Sequence, residues 1–170
     1  VTDKSVLDIG TGTGVLAIAA KMQGAEKVAG VDIESWCVDN AIENAAKNDI
    51  CDIAFTTKTL GDFTALKPDL ILANINRNVL LAHLPSYAQM LSPDGSLLLS
   101  GFHQEDVDAL QALAQENGAK AIVVVRRDYA TFLPRVKFWL ESEKMELIED
   151  MDVAVATGIP LIFTNEKSAN

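Results

Sequence analysis

Hydrophobic and polar residues alternate in blocks along the first three-quarters of the chain. Short apolar runs, typical of buried strands, are separated by segments whose apolar residues recur three and four positions apart, as in amphipathic helices. Strands are predicted at residues 6–9, 27–33, 53–57, 69–75, 96–100 and 119–125. Helices are predicted at residues 15–22, 35–47, 78–91 and 104–117. This order predicts a parallel sheet that is covered by helices on both faces.

Proline and glycine mark where the predicted elements end. Pro85 lies inside the helix predicted at 78–91, so this helix is expected to break into two pieces there. Gly118 follows the helix at 104–117 at the position of a helix stop. In the tail, 126–170, a helix is predicted at 134–149, a closing seventh strand at 159–164 and disorder at 166–170.

The segment 6–14 reads VLDIGTGTG, a strand that passes directly into three glycines. Gly10, Gly12 and Gly14 allow a tight turn in which the backbone approaches a ligand closely. The free N–H groups and the dipole of the helix at 15–22 converge on this turn, which predicts a nucleotide-type site. A turn without a ligand would need only one glycine.

Two cofactor chemistries fit this turn. Residues 12–17 match the GxGxxA form of the dinucleotide fingerprint, which leaves an NAD-dependent oxidoreductase open. Asp8 argues against that alternative, because a carboxylate beside the glycines would repel a pyrophosphate. S-adenosylmethionine carries an ammonium and a sulfonium group instead, so the acid favours a methyl donor.

Further polar residues follow the other predicted strands. Asp32 lies at the distance from the glycines where an acid binds ribose hydroxyls, although it could instead cap the next helix, a role that Ser35 could also fill. Asn74 ends an apolar strand, where its side-chain oxygen could accept a hydrogen bond from an incoming amine. Its alternative role is to cap the helix near residue 77, which Asn76 could do as well. With Asp62, these residues should gather at one edge of the sheet.

Composition narrows the class of protein. With 170 residues, of which 49% are hydrophobic, the chain should form one domain, and no segment resembles a membrane span or a signal peptide. A net charge of −10 disfavours direct nucleic acid binding. Two cysteines, too few for a metal cluster or a disulfide framework, are typical of a reduced, cytoplasmic protein. Trp36 could lie near an adenine or pack on the sheet edge, and His103 could face a substrate.

Four segments, taken together, resemble a known family. They are VLDIGTGTGVLAIAA, VAGVDIESWCVDNAIENAAKN, DLILANINRNVLL and LSPDGSLLLSGF. In this order they resemble the class I S-adenosylmethionine methyltransferases, and most closely the catalytic domain of the ribosomal protein L11 methyltransferase family (PrmA). The resemblance covers residues 6–125, and the segments 73–75 and 99–102 are its most particular parts. It implies a Rossmann-like fold with a mostly parallel seven-stranded sheet.

The resemblance also implies roles for individual residues. Asp8, Gly10, Thr11, Gly12 and Gly14 would hold the methionine part of S-adenosylmethionine. Asp32 and Ile33 would hold the ribose and the adenine, while Asn74 and Ile75 would line the methyl-transfer site, with Asp62 and Asn74 also near the cofactor. The substrate would be lysine side chains and the N-terminal amine of a ribosomal protein, with no metal ion. Family members carry an N-terminal recruiting domain, which this chain is expected to lack.

Overall fold

The computed structural model describes residues 1–57 and 67–123, which form a parallel sheet and its flanking helices. The strands are β1 (Ser5–Ile9), β2 (Lys27–Asp32), β3 (Ile53–Thr57), β4 (Leu70–Asn74), β5 (Ser96–Ser100) and β6 (Lys120–Val123). The helices are α1 (Val15–Met22), α2 (Ser35–Lys47), α3 (Arg77–Met90) and α4 (Val107–Glu116), the last preceded by a 3₁₀ turn at Gln104–Asp106. The helix predicted at 134–149 and the seventh strand at 159–164 lie outside the described residues.

The six described strands lie in the order β3-β2-β1-β4-β5-β6, and every neighbouring pair is parallel. The chain builds outward from β1 to β3, then returns to the other side of β1 to begin β4. A topological switch point therefore lies between β1 and β4, and in such sheets a ligand binds at the carboxyl ends of the strands beside it. This is the predicted Rossmann-like α/β architecture.

The sheet is buried on both faces. Leu7, Ile71 and Leu99 point toward the side that is covered by α3 and α4, while Val6 and Leu72 point toward α1. Successive side chains of a strand alternate between faces, so a central strand covered on both sides is apolar at most positions, with Asp8 in β1 as an exception. This explains the continuous apolar runs that predicted the strands.

Helix α3 corrects one prediction, since it continues through Pro85 without a break. A proline inside a helix removes one backbone hydrogen bond and crowds the preceding turn, at a cost of about 3 kcal/mol. Leu80, Leu84, Tyr87 and Met90 form a buried stripe along this helix. Each large apolar side chain contributes about 1.5–3 kcal/mol when fully buried. Packing of the stripe against the sheet therefore outweighs the local penalty of the proline.

Other boundaries differ from prediction by one to three residues. Strands β2 and β4 end at Asp32 and Asn74, one residue early, so Ile33 and Ile75 belong to the loops that follow them. The α-helical part of the segment 104–117 begins only at Val107. Gly118, with φ of 68°, follows the end of α4 as predicted.

The buried hydroxyl of Tyr87 provides a test of the packing around α3. This side chain is fully buried, its hydroxyl has no hydrogen-bond partner among the described residues, and burial raises the pKa of Tyr87 to about 12. An unsatisfied buried hydroxyl is destabilising, so Tyr87→Phe should leave the free energy of unfolding unchanged or raise it by up to about 1 kcal/mol. Leu84→Ala on the same stripe should lower it by about 2–5 kcal/mol. Urea denaturation checks both values, and a loss above about 1 kcal/mol in Tyr87→Phe would show that the hydroxyl is bonded.

Candidate functional site

The glycine loop between β1 and α1 adopts a backbone that favours glycine at three positions. Gly10, Gly12 and Gly14 have φ values of 68°, 53° and 82°, which lie in the left-handed region. Gly14 also lies directly before α1, and a side chain there would collide with Ala41 and Phe55. The loop therefore turns tightly between β1 and the start of α1, and the N–H of Gly14 closes it with a hydrogen bond to the carbonyl of Thr11 at 2.8 Å.

Two hydrogen bonds tie the glycine loop to the end of β2. The N–H of Thr11 donates to the carbonyl of Val31 at 2.9 Å, and the N–H of Gly12 donates to Oδ2 of Asp32 at 2.9 Å. The other carboxylate oxygen of Asp32 accepts from the N–H of Glu34 at 3.1 Å, at the entry to α2. Asp32 therefore organises both the glycine loop and the start of α2, while its side chain stays partly exposed. Ser35 does not cap α2, because it is already the first helical residue.

Asp8 lies beneath the glycine loop and is almost inaccessible. Its side chain is 1% exposed, and its Oδ2 accepts hydrogen bonds from the hydroxyl of Thr11 at 2.7 Å and from the N–H of Ala17 at 3.2 Å. Burial raises the pKa of Asp8 to about 6, and the nearby charge of Asp32 adds to this increase, while the two hydrogen bonds oppose it. In this structure Asp8 joins the loop to the first turn of α1.

The loop after β4 forms the second half of the site. Asn74 ends β4 beside Ser100 of β5, and its Oδ1 accepts a hydrogen bond from the Ser100 hydroxyl at 3.0 Å. The N–H of Ile75 donates to the Ser100 carbonyl at 3.2 Å. Asn76 caps α3, since its side chain accepts from the N–H of Val79 at 3.2 Å. Asn74 is therefore not the helix cap and remains at the open edge of the sheet.

Ile75 brings the two halves of the site into contact. A methyl group added at Gly10 would overlap the Ile75 side chain, so the glycine loop and the loop after β4 pack against each other at the switch point. On its other side Ile75 meets Gly101, whose added methyl group would lie 2.6 Å from the Ile75 carbonyl oxygen. Backbone segments that follow β1, β4 and β5 are thus held in one continuous contact.

A cleft opens next to this contact at the ends of β4 and β5. It has a volume of about 800 Å³ and is lined by Asn76, Arg77, Asn78, Gly101, Phe102, His103, Glu105 and Asp106. An ion pair between Arg77 and Asp106 crosses it, and Asp106 also accepts from the N–H of His103 at 3.2 Å. The cleft is polar, carries more acidic than basic side chains, and has His103 at its surface. These features suit a cationic ligand group.

The other side of the site, after β2, is apolar and open. Ile33 is 76% exposed and Trp36 is 64% exposed, which leaves most of both side chains free to contact a ligand. An aromatic ring packed on the sheet edge would be far more buried, so the structure does not favour that interpretation of Trp36. Both side chains follow Asp32 closely in the sequence and offer a surface suited to a flat aromatic base.

The structure brings together most of the residues that the sequence singles out. The glycines, Thr11, Asp32, Ile33, Asn74 and Ile75 lie at the carboxyl edge, and Asp8 lies just below it, whereas Asp62 falls outside the described residues. Sequence reasoning did not predict the hydrogen bond of Ser100 to Asn74 or the ion pair of Arg77 with Asp106. The available signal for Ser100 was a polar residue followed by glycine at the end of an apolar strand.

Within the described ranges, no group of three or more His, Cys, Asp or Glu side chains could hold a metal ion. None of the helices in these ranges combines the length and the apolar character that crossing a bilayer requires.

Comparison with known proteins identifies relatives over most of the described region. The family model described as "Ribosomal protein L11 methyltransferase (PrmA)" matches residues 1–132. A ribosomal protein L11 methyltransferase from Phocaeicola vulgatus is 45% identical over 123 residues, which cover 70% of this chain and 43% of that protein. The Porphyromonas gingivalis protein of the same name is 48% identical over 114 residues, covering 65% of this chain and 38% of that protein. The matched region spans about four-tenths of these relatives.

A solved structure supports the same relationship. The crystal structure of a ribosomal protein L11 methylase from Lactobacillus delbrueckii subsp. bulgaricus matches with a TM-score of 0.65 and 38% sequence identity. The match covers 69% of this chain and 61% of that chain. The two proteins therefore share both their fold and part of their amino-acid sequence over the matched region.

The buried carboxyl group of Asp8 predicts a pH dependence of stability. Its pKa rises from 3.8 in the unfolded chain to about 6 in the folded protein, so the folded state retains a proton that the unfolded state loses between these values. The free energy of unfolding therefore falls as pH rises from about 4 to 6, because Asp8 becomes ionised in a buried site. The total decrease is about 3 kcal/mol. Asp8→Asn removes this cost and can keep both accepted hydrogen bonds.

We expect Asp8→Asn to be more stable than the wild type at pH 7, and the difference to be about 1 kcal/mol larger at pH 7 than at pH 5. Urea denaturation of both proteins across this range measures it. A difference that does not change with pH would contradict the assigned burial of the charge.

Proposed function

This chain belongs to the ribosomal protein L11 methyltransferase family, and from that premise we propose that it transfers a methyl group from S-adenosylmethionine to amines of ribosomal protein L11. The observation that carries the proposal is the contact of Ile75 with Gly10, which joins a nucleotide-type loop to the loop that bears Asn74. Methyl transfer needs the donor and the acceptor within reach of one another, and this contact brings the two loops together.

The charges of the site favour S-adenosylmethionine over a dinucleotide. Asp8 and Asp32 lie close enough for the charge of one to affect the pKa of the other. An acid at the position of Asp32 is common to both cofactor classes, so Asp8 makes the distinction. Its carboxylate beneath the glycine loop would repel a pyrophosphate, while it attracts a cofactor that carries an ammonium and a sulfonium group. We assign the methionine part to Gly10, Thr11, Gly12 and Gly14 above Asp8, the ribose hydroxyls to Asp32 and the adenine to Ile33, with Trp36 beside it.

The protein contributes to this reaction mainly by positioning the amine, and not through a reactive group of its own. When bound, S-adenosylmethionine supplies the electrophilic methyl group. A lysine amine has a pKa of about 10.4 in water, so it must lose a proton before its lone pair can attack. The Asn74 amide oxygen has a second lone pair beside the one that Ser100 uses, and this lone pair can accept a hydrogen bond from the neutral amine. Correct alignment of two reactants can contribute about 7–11 kcal/mol to catalysis.

The polar cleft is the proposed entrance for the acceptor. Its lining begins at Asn76, two residues after Asn74. Because Asp106 is paired with Arg77, the carboxylate of Glu105 gives the cleft the charge that attracts a lysine side chain. Ribosomal proteins are made in the cytoplasm, and we place the reaction there. A protein acceptor also agrees with the net charge of −10, which suits a basic protein and disfavours direct contact with ribosomal RNA.

Cofactor binding is tested by calorimetric titration of the full chain with S-adenosylmethionine, S-adenosylhomocysteine and NAD. We expect both sulfur compounds to bind and NAD not to bind. Asp32→Ala should weaken S-adenosylhomocysteine binding about 10- to 100-fold, since a hydrogen bond to a charged group contributes about 1.5–3 kcal/mol. Binding of NAD without either sulfur compound would instead indicate an oxidoreductase.

Asp69→Ala is a matched control for the Asp32 variant. Asp69 also accepts backbone and side-chain hydrogen bonds, from Ser5 and Ser92, but it lies at the amino end of the sheet. The Asp69→Ala substitution should lower the free energy of unfolding without changing the affinity for the cofactor. Equal losses of affinity in both variants would show that Asp32 acts only on folding.

Asn74→Ala tests the acceptor side. We expect kcat for methyl transfer from labelled S-adenosylmethionine to ribosomal protein L11 to fall about 10- to 100-fold, because the amine loses its orienting partner. The dissociation constant of S-adenosylhomocysteine should change less than about threefold, equivalent to under 1 kcal/mol. Asn117→Ala, which makes the same chemical change at the far end of α4, should leave both values unchanged.

The acceptor assay also separates the remaining alternatives. Transfer to another amine, with none to ribosomal protein L11, would keep the methyltransferase and change its substrate. Cofactor binding without transfer to any ribosomal protein extract would indicate a binding module. Equal losses of binding and turnover in Asn74→Ala would remove Asn74 from the methyl-transfer step.

A further inference from the structure

Ser100, the last residue of β5, is a buried polar residue with two separate contacts to the loop after β4. It is 3% exposed, and its hydroxyl donates to Oδ1 of Asn74 at 3.0 Å. Its carbonyl oxygen accepts from the N–H of Ile75 at 3.2 Å. One residue therefore holds the Asn74 side chain and the Ile75 backbone at the same time.

The backbone after Ser100 supports the same loop from behind. Gly101 has φ of 93°, and an added methyl group there would lie 2.6 Å from the Ile75 carbonyl oxygen and 3.0 Å from its carbonyl carbon and amide nitrogen. Only a residue without a side chain allows this approach. The chain thus turns away from β5 while remaining in contact with Ile75.

We propose that Ser100 is a positioning residue for methyl transfer, which fixes the orientation of the Asn74 amide. This inference rests on the proposed function, because it presumes that Asn74 orients the acceptor amine. An exposed amide end of asparagine rotates easily, and its oxygen and nitrogen can exchange places. In the structure the Ser100 hydroxyl donates to Oδ1 of Asn74, which holds the amide against β5 and leaves the second lone pair of Oδ1 for the amine.

This arrangement separates two tasks within one segment. The backbone contact with Ile75 maintains the shape of the loop and does not depend on the side chain at position 100. The hydroxyl contact acts on the Asn74 amide alone. Removal of the hydroxyl should therefore reduce turnover and leave the loop, the cofactor site and most of the stability intact.

The test compares Ser100→Ala and Ser100→Cys with Ser96→Ala in the full chain. Ser96 begins the same strand at the opposite end, so it is a matched control for the same chemical change. Cysteine keeps an atom at the γ position, although a larger one, and is only a weak donor. We expect both Ser100 variants to lower kcat about three- to tenfold, the contribution of one hydrogen bond. Binding of S-adenosylhomocysteine should be unchanged, and Ser96→Ala should match the wild type.

A double-mutant cycle with Asn74→Ala gives the readout that a merely structural role would not produce. If Ser100 acts through Asn74, adding Ser100→Ala to Asn74→Ala should lower kcat by less than about twofold further. Losses that multiply in the double variant would overturn the proposal. Wild-type kcat in Ser100→Ala would overturn it as well.

A measurement that does not require turnover keeps this inference separate from the proposed function. The ¹H–¹⁵N heteronuclear NOE of the Asn74 side-chain amide should indicate rigidity in the wild type and in Ser96→Ala, and mobility in Ser100→Ala. Equal rigidity in all three would overturn the role of Ser100, whether or not the protein methylates an amine. A wild-type protein that shows the expected NOE but transfers no methyl group would contradict the proposed function alone.

Discussion

The packing of Ile75 against the backbone of Gly10 sets the distance between the two halves of the site. The order of the strands makes this contact possible, because β1 and β4 are neighbours at the switch point although they are far apart in the sequence. A side chain at position 10 would push the loop after β4 away from the glycine loop. The absence of a side chain at Gly10 therefore sets the contact between the two loops as well as the conformation of the glycine loop itself.

The charges beneath the glycine loop place function and stability in opposition. Asp8 keeps a carboxylate in a site where burial disfavours ionisation, so at neutral pH the folded protein carries a cost that an amide would not impose. In the function proposed above, the same negative charge attracts the cationic groups of the cofactor. Residues that destabilise the fold in this way are common at functional sites, where selection acts on binding and not on stability alone.

Local sequence patterns predicted those parts of the fold in which neighbouring residues decide the structure. The helices at Val15–Met22 and Ser35–Lys47 and the strand at Ile53–Thr57 have the predicted boundaries, because apolar periodicity and glycine positions mark them. The prediction that the helix breaks at Pro85 was wrong, because packing against the sheet, which is distant in the sequence, keeps α3 continuous. Ser35 was considered as a cap for α2, but Asp32 instead accepts the hydrogen bond from the N–H of Glu34 at the start of this helix.

In the candidate site, too, the positions set by the local sequence were predictable, and the contacts between distant segments were not. Carboxyl-end residues such as Asp32 and Asn74 were predictable, because parallel strands bring their ends to one edge. The contact of Ser100 with Asn74 joins residues 26 positions apart, and no local pattern shows which hydroxyl will face which amide. The burial of Asp8 was equally hidden, because it depends on how α1 folds back over β1.

We propose that the glycine loop and the Asn74 loop form one site for S-adenosylmethionine and an amine. A crystal structure of the protein with S-adenosylhomocysteine would test this arrangement. We expect the amino acid part over Gly10–Gly14, a ribose hydroxyl about 2.7 Å from Asp32, and the sulfur facing Asn74. A ligand bound elsewhere, or one whose sulfur faces away from Asn74, would contradict it.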